Sequence, residues 1–300
     1  MNRAFTFQIT ETDASKAIDF FLKSNGFSRH IISKLKRTPH GITVNGAHAN
    51  TKYILCTGDI LSVIISEEAP SENILPVPME LSIVYEDEDI LVVNKPADTP
   101  IHPSMHNYDN SLANGIAHYY RKEDSPFVFR CINRLDRDTT GLTIIAKNSL
   151  SSAILSSMVS KRQIHREYLA IVSGTPADHG TIDAPIGRKS DSCIERIIDL
   201  HQGERAVTHY TRLYSDEAHS LVKLKLETGR THQIRVHMKY IGFPLIGDYL
   251  YNPDYKKIKR QALHSYRLTF EHPITRKPLE FTAPLPFDMQ NVMEVHFTQV

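Results

Sequence analysis

The stretch Asn133–Asn148, NRLDRDTTGLTIIAKN, divides into two halves of opposite character. Its second half, Leu142 to Ala146, is an apolar, β-branched run that reads as a buried strand. Its first half packs Arg134, Asp136, Arg137 and Asp138 into five positions. Charges beside a core strand are costly unless they are paired. If Arg134 to Asp138 is extended, Arg134, Asp136 and Asp138 project to one face. A carboxylate then lies beside a guanidinium, which holds it ionised. A plain ion pair at a strand entry would leave the same pattern, so the surrounding chain has to decide.

Working outward, 300 residues suit one large domain and a small one. Hydrophobic residues make up 41% and charged residues 23%, as in ordinary globular chains. No apolar run is long enough to span a bilayer, and the N-terminus lacks a signal-peptide layout, so no membrane partner is expected. Cys56, Cys131 and Cys193 have no metal-type spacing and read as free thiols in a reducing, cytoplasmic setting. The formal net charge is only +1, but its distribution is uneven. Between Phe20 and Gly58 there is no Asp or Glu, while Lys23, Arg29, Lys34, Lys36, Arg37 and Lys52 all lie there.

That basic region carries its own pattern. After an extended leader to about Thr12, Ile18, Phe21 and Leu22 mark a short helix ended by Gly26. Ser28 caps a second helix, with Ile31, Ile32 and Leu35 inward and Arg29, His30, Lys34, Lys36 and Arg37 outward. A strand from Ile42 to Val44, an Asn45-Gly46 turn and a strand from Ile60 to Ile65 complete the unit. The segments FSRHIISKLKR, ITVNG and GDILSV resemble the alpha-L RNA-binding motif of the ribosomal protein S-four type. The resemblance implies that Arg29, Lys34, Lys36 and Arg37 lie on RNA phosphates, giving salt-dependent, sequence-tolerant affinity. A solvated basic helix without a partner is the plainer alternative.

Residues 66–80, acidic and proline-bearing, read as a linker between a unit at 13–65 and a larger one at 81–300. In the larger unit, strands are expected at 81–85, 90–94, 168–172, 207–213, 221–227 and 268–271, and helices at 111–121, 150–161 and 231–241. The count predicts an α+β domain on a mainly antiparallel sheet.

Further clusters surround the central one: NKP at 94–96, IHP at 101–103, REYLAIVSG at 166–174, PIGR at 185–188 and TGRTHQIRVH at 228–237. IGFPLIGDYLY and RQALH follow. With NRLDRDTTGL, these motifs are similar to the RluA-type family of RNA pseudouridine synthases, from about Leu81 to Asp288. Asn133 stands where that family usually has His, and Thr140 where it often has Ser.

The resemblance implies an isomerase that breaks the bond from ribose carbon 1′ to uracil nitrogen 1 and rejoins the base through carbon 5. Asp136 matches the catalytic aspartate, whose carboxylate can form a covalent intermediate. Arg230 matches the arginine expected to pair with it. Tyr168 matches the tyrosine expected to pack on the uracil and help remove the carbon 5 proton. Arg134 matches the residue that fills the space of the flipped nucleotide. Thr140, His232, Gln233 and Arg235 are expected to help hold the substrate.

Other readings of these residues carry less. His232 and His237, with four residues between them, lack a third metal ligand at suitable spacing and read as hydrogen-bonding groups orienting the Arg230 loop. A glycoside hydrolase needs a second carboxylate, for which Asp138 is the nearby candidate. A catalytically silent RNA binder would have little reason to keep Asp136, Tyr168 and Arg230 together. The reaction implies no cofactor and no metal. A monomer acting on RNA is expected, with large-subunit ribosomal RNA ahead of transfer RNA as substrate.

Overall fold

β1 (Asn2–Gln8) pairs antiparallel along its whole length with a strand some sixty residues away. The segment read as a leader is therefore part of a sheet in this computed structural model, which describes residues 2–67, 71, 74–105, 107–121 and 127–293. Helices α1 (Ile18–Ser24) and α2 (Arg29–Leu35) follow, then β2 (Ile42–Val44), β3 (Ala47–His48) and β4 (Ile60–Ser66). The sheet order is β1-β4-β2-β3. The Ser28 side chain accepts a hydrogen bond from the Ile31 N–H, capping α2 as expected. Asn45 and Gly46 both take positive φ, as a two-residue turn with the strands' own twist requires.

The larger unit runs β5 (Ile83–Glu86), β6 (Ile90–Lys95), α3 (Leu112–Arg121), β7 (Thr140–Ala146), α4 (Ser149–Ser160), β8 (His165–Ser173), β9 (His179–Asp183), β10 (Ile186–Arg188) and β11 (Arg196–Ile198). It continues with β12 (Val207–Ser215), β13 (His219–Leu226), α5 (Gln233–Tyr240), β14 (Leu263–Glu271), β15 (Pro278–Thr282) and α6 (Phe287–Met293). The main sheet has the order β5-β6-β7-β14-β8-β13-β12-β9, with β15 also on β14. Its pairings are antiparallel except β7 with β14. The expectation of a mainly antiparallel α+β unit matches this sheet. Strands β9, β10, β11 and β15 and helix α6 were not legible in the sequence pattern.

β7 explains the apolar run at the centre of the sequence. All seven of its residues are buried. Leu142, Ile144 and Ala146 face one hydrophobic cluster and Ile145 faces another, so neither face reaches water. Gly141 (φ +109) sits where β14 crosses, and a Cβ there would lie 2.2 Å from the Ser265 carbonyl oxygen.

The two sheets are joined by packing as well as by the chain. One hydrophobic cluster runs from Phe5, Phe21 and Ile31 to Leu142, Ile154 and Leu155. A Cβ at Gly26 would lie 2.6 Å from Ile154 on α4. On β1, Arg3 gives two hydrogen bonds of 3.0 Å to the buried Asp89 carboxylate. Part of the expected 66–80 linker, residues 68–70 and 72–73, lies outside the described residues.

Candidate active site

Asn133 anchors the charged loop to its strand. Its buried side chain accepts from the Ile144 N–H (2.8 Å) and donates to the Leu142 carbonyl (3.1 Å), while its own carbonyl accepts from Thr143 Oγ1 (2.8 Å). The amide thus acts as a short extra piece of ladder, a job suited to a group that both donates and accepts. Beyond it the backbone is not a strand: residues 137 and 138 turn, and the Thr139 N–H returns to the Asp136 carbonyl. The expected alternation of Arg134, Asp136 and Asp138 on one face is therefore broken. Asp138 is buried and takes bonds of 3.1 and 3.2 Å from Arg137, while Arg134 is exposed and not paired with Asp136.

Lys95, at the end of β6, holds this turn from below. Its fully buried ammonium donates at 2.8 Å to each of the Pro96, Thr99 and Arg137 carbonyls. Burial pushes the group down to about 7, against the pull of Asp138 and Asp136. Three acceptors match the three N–H bonds of an ammonium, where a neutral amine has two, so we take Lys95 as charged.

Asp136 receives its arginine from α5. Arg235 Nη1 donates to Asp136 Oδ2 at 2.9 Å. The same guanidinium holds the fully buried Asp248 through Nε (2.7 Å) and Nη2 (2.8 Å), and lies over the rings of Tyr249 and Tyr251. Asp248 Oδ1 is itself fixed by the N–H groups of Leu250 and Tyr251. Burial works against the charge of Arg235, but the two carboxylates outweigh it and raise the guanidinium above its ordinary value. The fork is aligned with one carboxylate and presents its remaining edge to the other, a geometry lysine cannot copy.

This corrects the pairing expected for Arg230. Arg230 instead donates to Glu204 and to the Arg205 carbonyl, at the exposed rim. His232, with a left-handed backbone (φ +58), separates it from α5 as the residue before the helix. The His232 Nε2 lies 3.8 Å from Asp136 Oδ2, and Nδ1 bonds the Tyr251 hydroxyl at 2.9 Å. Burial pushes its imidazole down, against the raising effect of Asp136.

Two further expected substrate contacts are already engaged within the protein. The Gln233 amide bonds Thr228, the Arg230 N–H, the Val207 carbonyl and Thr208, closing the 228–232 turn. Thr140 points away from the cleft and bonds His264 Nδ1 at 2.8 Å, because it begins β7 where that strand meets β14. His237 also lies inside, between Thr208 and the Ala184 carbonyl, and so does not pair with His232 as a metal site would require or orient the Arg230 loop.

Asp136 and Tyr168 come together in a small recess of about 60 Å³, also lined by Arg134, Leu226, His232 and Arg235. It adjoins a cleft of about 850 Å³ bordered by 100–104, 132–136, the end of α4 and the 227–232 turn. Tyr168 is buried, and burial raises its phenol above the ordinary value, with Asp136 acting in the same direction and Arg166 against it. Of the four expected basic contacts, Arg29, Lys36 and Arg37 are exposed, whereas Lys34 is half-buried and donates to the Ser66 carbonyl.

Asp248 and Lys95 were missed as site residues. Both stood inside quoted motifs, IGFPLIGDYLY and NKP, but the guanidinium that Asp248 holds lies 13 residues away and the farthest acceptor of Lys95 lies 42 residues away.

A carboxylate gripped by a buried arginine, beneath an arginine-lined cleft, suits covalent chemistry on a polyanionic substrate. The family description RNA pseudouridylate synthase matches residues 89–240, and this chain belongs to that family. It is an isomerase that acts on RNA. The chain is 43% identical over 270 residues to the uncharacterized RNA pseudouridine synthase YjbO of Bacillus subtilis, covering 90% of this chain and 95% of the relative. It is 39% identical over 245 residues to the ribosomal large subunit pseudouridine synthase D of Escherichia coli K12, covering 77% and 74%. Among solved structures, human RNA pseudouridylate synthase domain containing 1 is similar with a TM-score of 0.58 and 29% identity, over 73% of this chain and 86% of that one.

Proposed function

We propose that this enzyme isomerises specific uridines of large-subunit ribosomal RNA, with Asp136 as the catalytic carboxylate. The observation that carries the catalytic assignment is the Asp248–Arg235–Asp136 chain, which ends in the recess beside Tyr168. The substrate is supported by relatives named as ribosomal large subunit synthases at about 40% identity. The target base leaves its stack, since the reacting bond is out of reach inside it. Arg134, exposed at the recess mouth, occupies the vacated space. Asp136, aimed by Arg235, supplies the carboxylate that permits nitrogen 1 to leave and carbon 5 to return.

Tyr168 packs against the uracil as a neutral phenol. The N-terminal unit, 13–65 together with β1, adds affinity through the exposed Arg29, Lys36 and Arg37. The protein works as a monomer in the cytoplasm; its three free cysteines fit a reducing compartment.

The test follows hydrogen. Moving the bond to carbon 5 releases the hydrogen held there, so RNA tritiated at carbon 5 of uridine loses label to water. Large-subunit ribosomal RNA should release label with the wild-type protein and none with Asp136→Asn, which should still bind. Release from transfer RNA alone would overturn the substrate, and wild-type rates in Asp136→Asn would overturn the role of Asp136.

A further inference from the structure

We propose that Arg166 is the seat of an RNA backbone phosphate next to the target nucleotide. The proposal rests on reading the cleft as the RNA site and names one contact within it. Arg166 and Tyr168 lie two positions apart on β8, so both side chains leave the strand on the same side. Arg166 lines the large cleft, with its guanidinium against the backbone of Gly229. A Cβ at Gly229 would lie 3.0 Å from Nη1 and 3.3 Å from Nη2. The bare glycine leaves room for the fork against the 228–232 turn.

Among the described residues the Arg166 side chain has no hydrogen-bond or ion-pair partner. Its Nε is buried without a hydrogen bond, and among the described residues the side chain makes no ion pair. The other cleft cations of this wall are matched: Arg162 holds Glu227 at 3.1 Å and Arg230 holds Glu204. The two carboxylates lining the cleft are likewise occupied. Asp136 is taken by Arg235, and Glu227 is shared by Arg162, Arg205 and His209. No acid is left for Arg166, and four arginines face two carboxylates along the cleft.

A half-buried guanidinium without a counter-charge is costly, so a strand that holds one rigidly into a cleft is waiting for an anion. On RNA that anion is the phosphodiester, whose paired oxygens match the planar fork. The neighbouring Tyr168 faces the base, which leaves the adjacent backbone for Arg166.

Binding of the full chain to transcribed large-subunit ribosomal RNA and, separately, to transfer RNA should be followed from about 50 to about 200 mM salt. For Arg166→Gln the log–log slope should become shallower by roughly 0.7 to 0.9, the effect of one lost phosphate contact. Arg166→Lys keeps the charge and should restore the slope, with both melting temperatures near wild type. An unchanged slope in Arg166→Gln on both RNAs overturns the proposal, even if affinity falls, since a base contact or a shape effect carries no such slope. Should Arg166→Gln fold poorly, Arg166→Lys still decides. A phosphate seat loses its fork there, so tritium release slows at low RNA and recovers at saturation, whereas a structural residue would lower the rate at every concentration. Absence of tritium release by wild type from ribosomal RNA would fell the substrate reading alone, because the salt slopes are measured on either RNA.

Discussion

Replacing Arg235 and Arg230 separately by Gln should give opposite profiles, although only four residues lie between them. Arg235 is 1% exposed and bonds two carboxylates, one of them the fully buried Asp248. Its removal leaves the Asp248 carboxylate inside the protein without its ion-pair partner, a change that costs about 3–5 kcal/mol of stability. It also frees Asp136 from a charge-assisted hydrogen bond of about 1.5–3 kcal/mol. If that bond is held in the transition state, turnover falls by roughly 10- to 150-fold among the molecules that remain folded. Arg230 sits at the rim with an exposed Glu204, so its loss should change stability by about 0–1 kcal/mol. Urea unfolding gives the stabilities, and single-turnover tritium release under conditions where both variants stay folded gives the rates. The reasoning fails if Arg235→Gln unfolds like wild type with near-normal release while Arg230→Gln abolishes it. In that case Arg230 would move onto Asp136 when RNA binds.

Lys95→Met should destabilise by at least about 2 kcal/mol, because the Pro96 and Thr99 carbonyls lose their donor at about 1–3 kcal/mol each, while the Arg137 carbonyl keeps the Thr99 N–H. Release should fall with it, as the Arg137 carbonyl adjoins Asp136; a melting temperature equal to wild type would show the clamp to be dispensable. His264 supplies a pH dependence. Burial depresses it to about 4, so the unfolded chain binds a proton from about pH 6.5 downward that the folded protein does not take until about pH 4. Its contribution to stability is therefore complete above about pH 6.5 and lost on acidification, by about 3 kcal/mol near pH 4. Unfolding at pH 7 and pH 4.5 should differ less in His264→Gln than in wild type, and an equal difference would remove His264 as the cause. Changing Arg29, Lys36 and Arg37 together to Ala should flatten the salt dependence of RNA binding by about 0.7–0.9 per contact. An unchanged slope would take α2 out of the interface.

Much of the secondary structure was legible because local rules govern it. Ser28 capped α2, Asn45-Gly46 turned the first hairpin, and the β-branched run from Leu142 to Ala146 became the buried strand β7. Motif order also pointed to the family, since NRLDRDTTGL, REYLAIVSG and TGRTHQIRVH are long and fall in one order. What sequence could not assign was partnership. Arg230 and Arg235 are chemically alike and close together, and the fold places Arg235 on Asp136 and Arg230 on Glu204 at the rim. Thr140 read as a cleft residue, yet its place opposite His264 was set by the parallel pairing of β7 with β14. The leader read at residues up to Thr12 became β1 because β4 offered it a complete edge. Charge and helix periodicity are properties of neighbours along the chain, whereas ion pairs and strand partners are chosen across it, by the tertiary packing that brings Asp136, Arg235 and Asp248 within one set of hydrogen bonds.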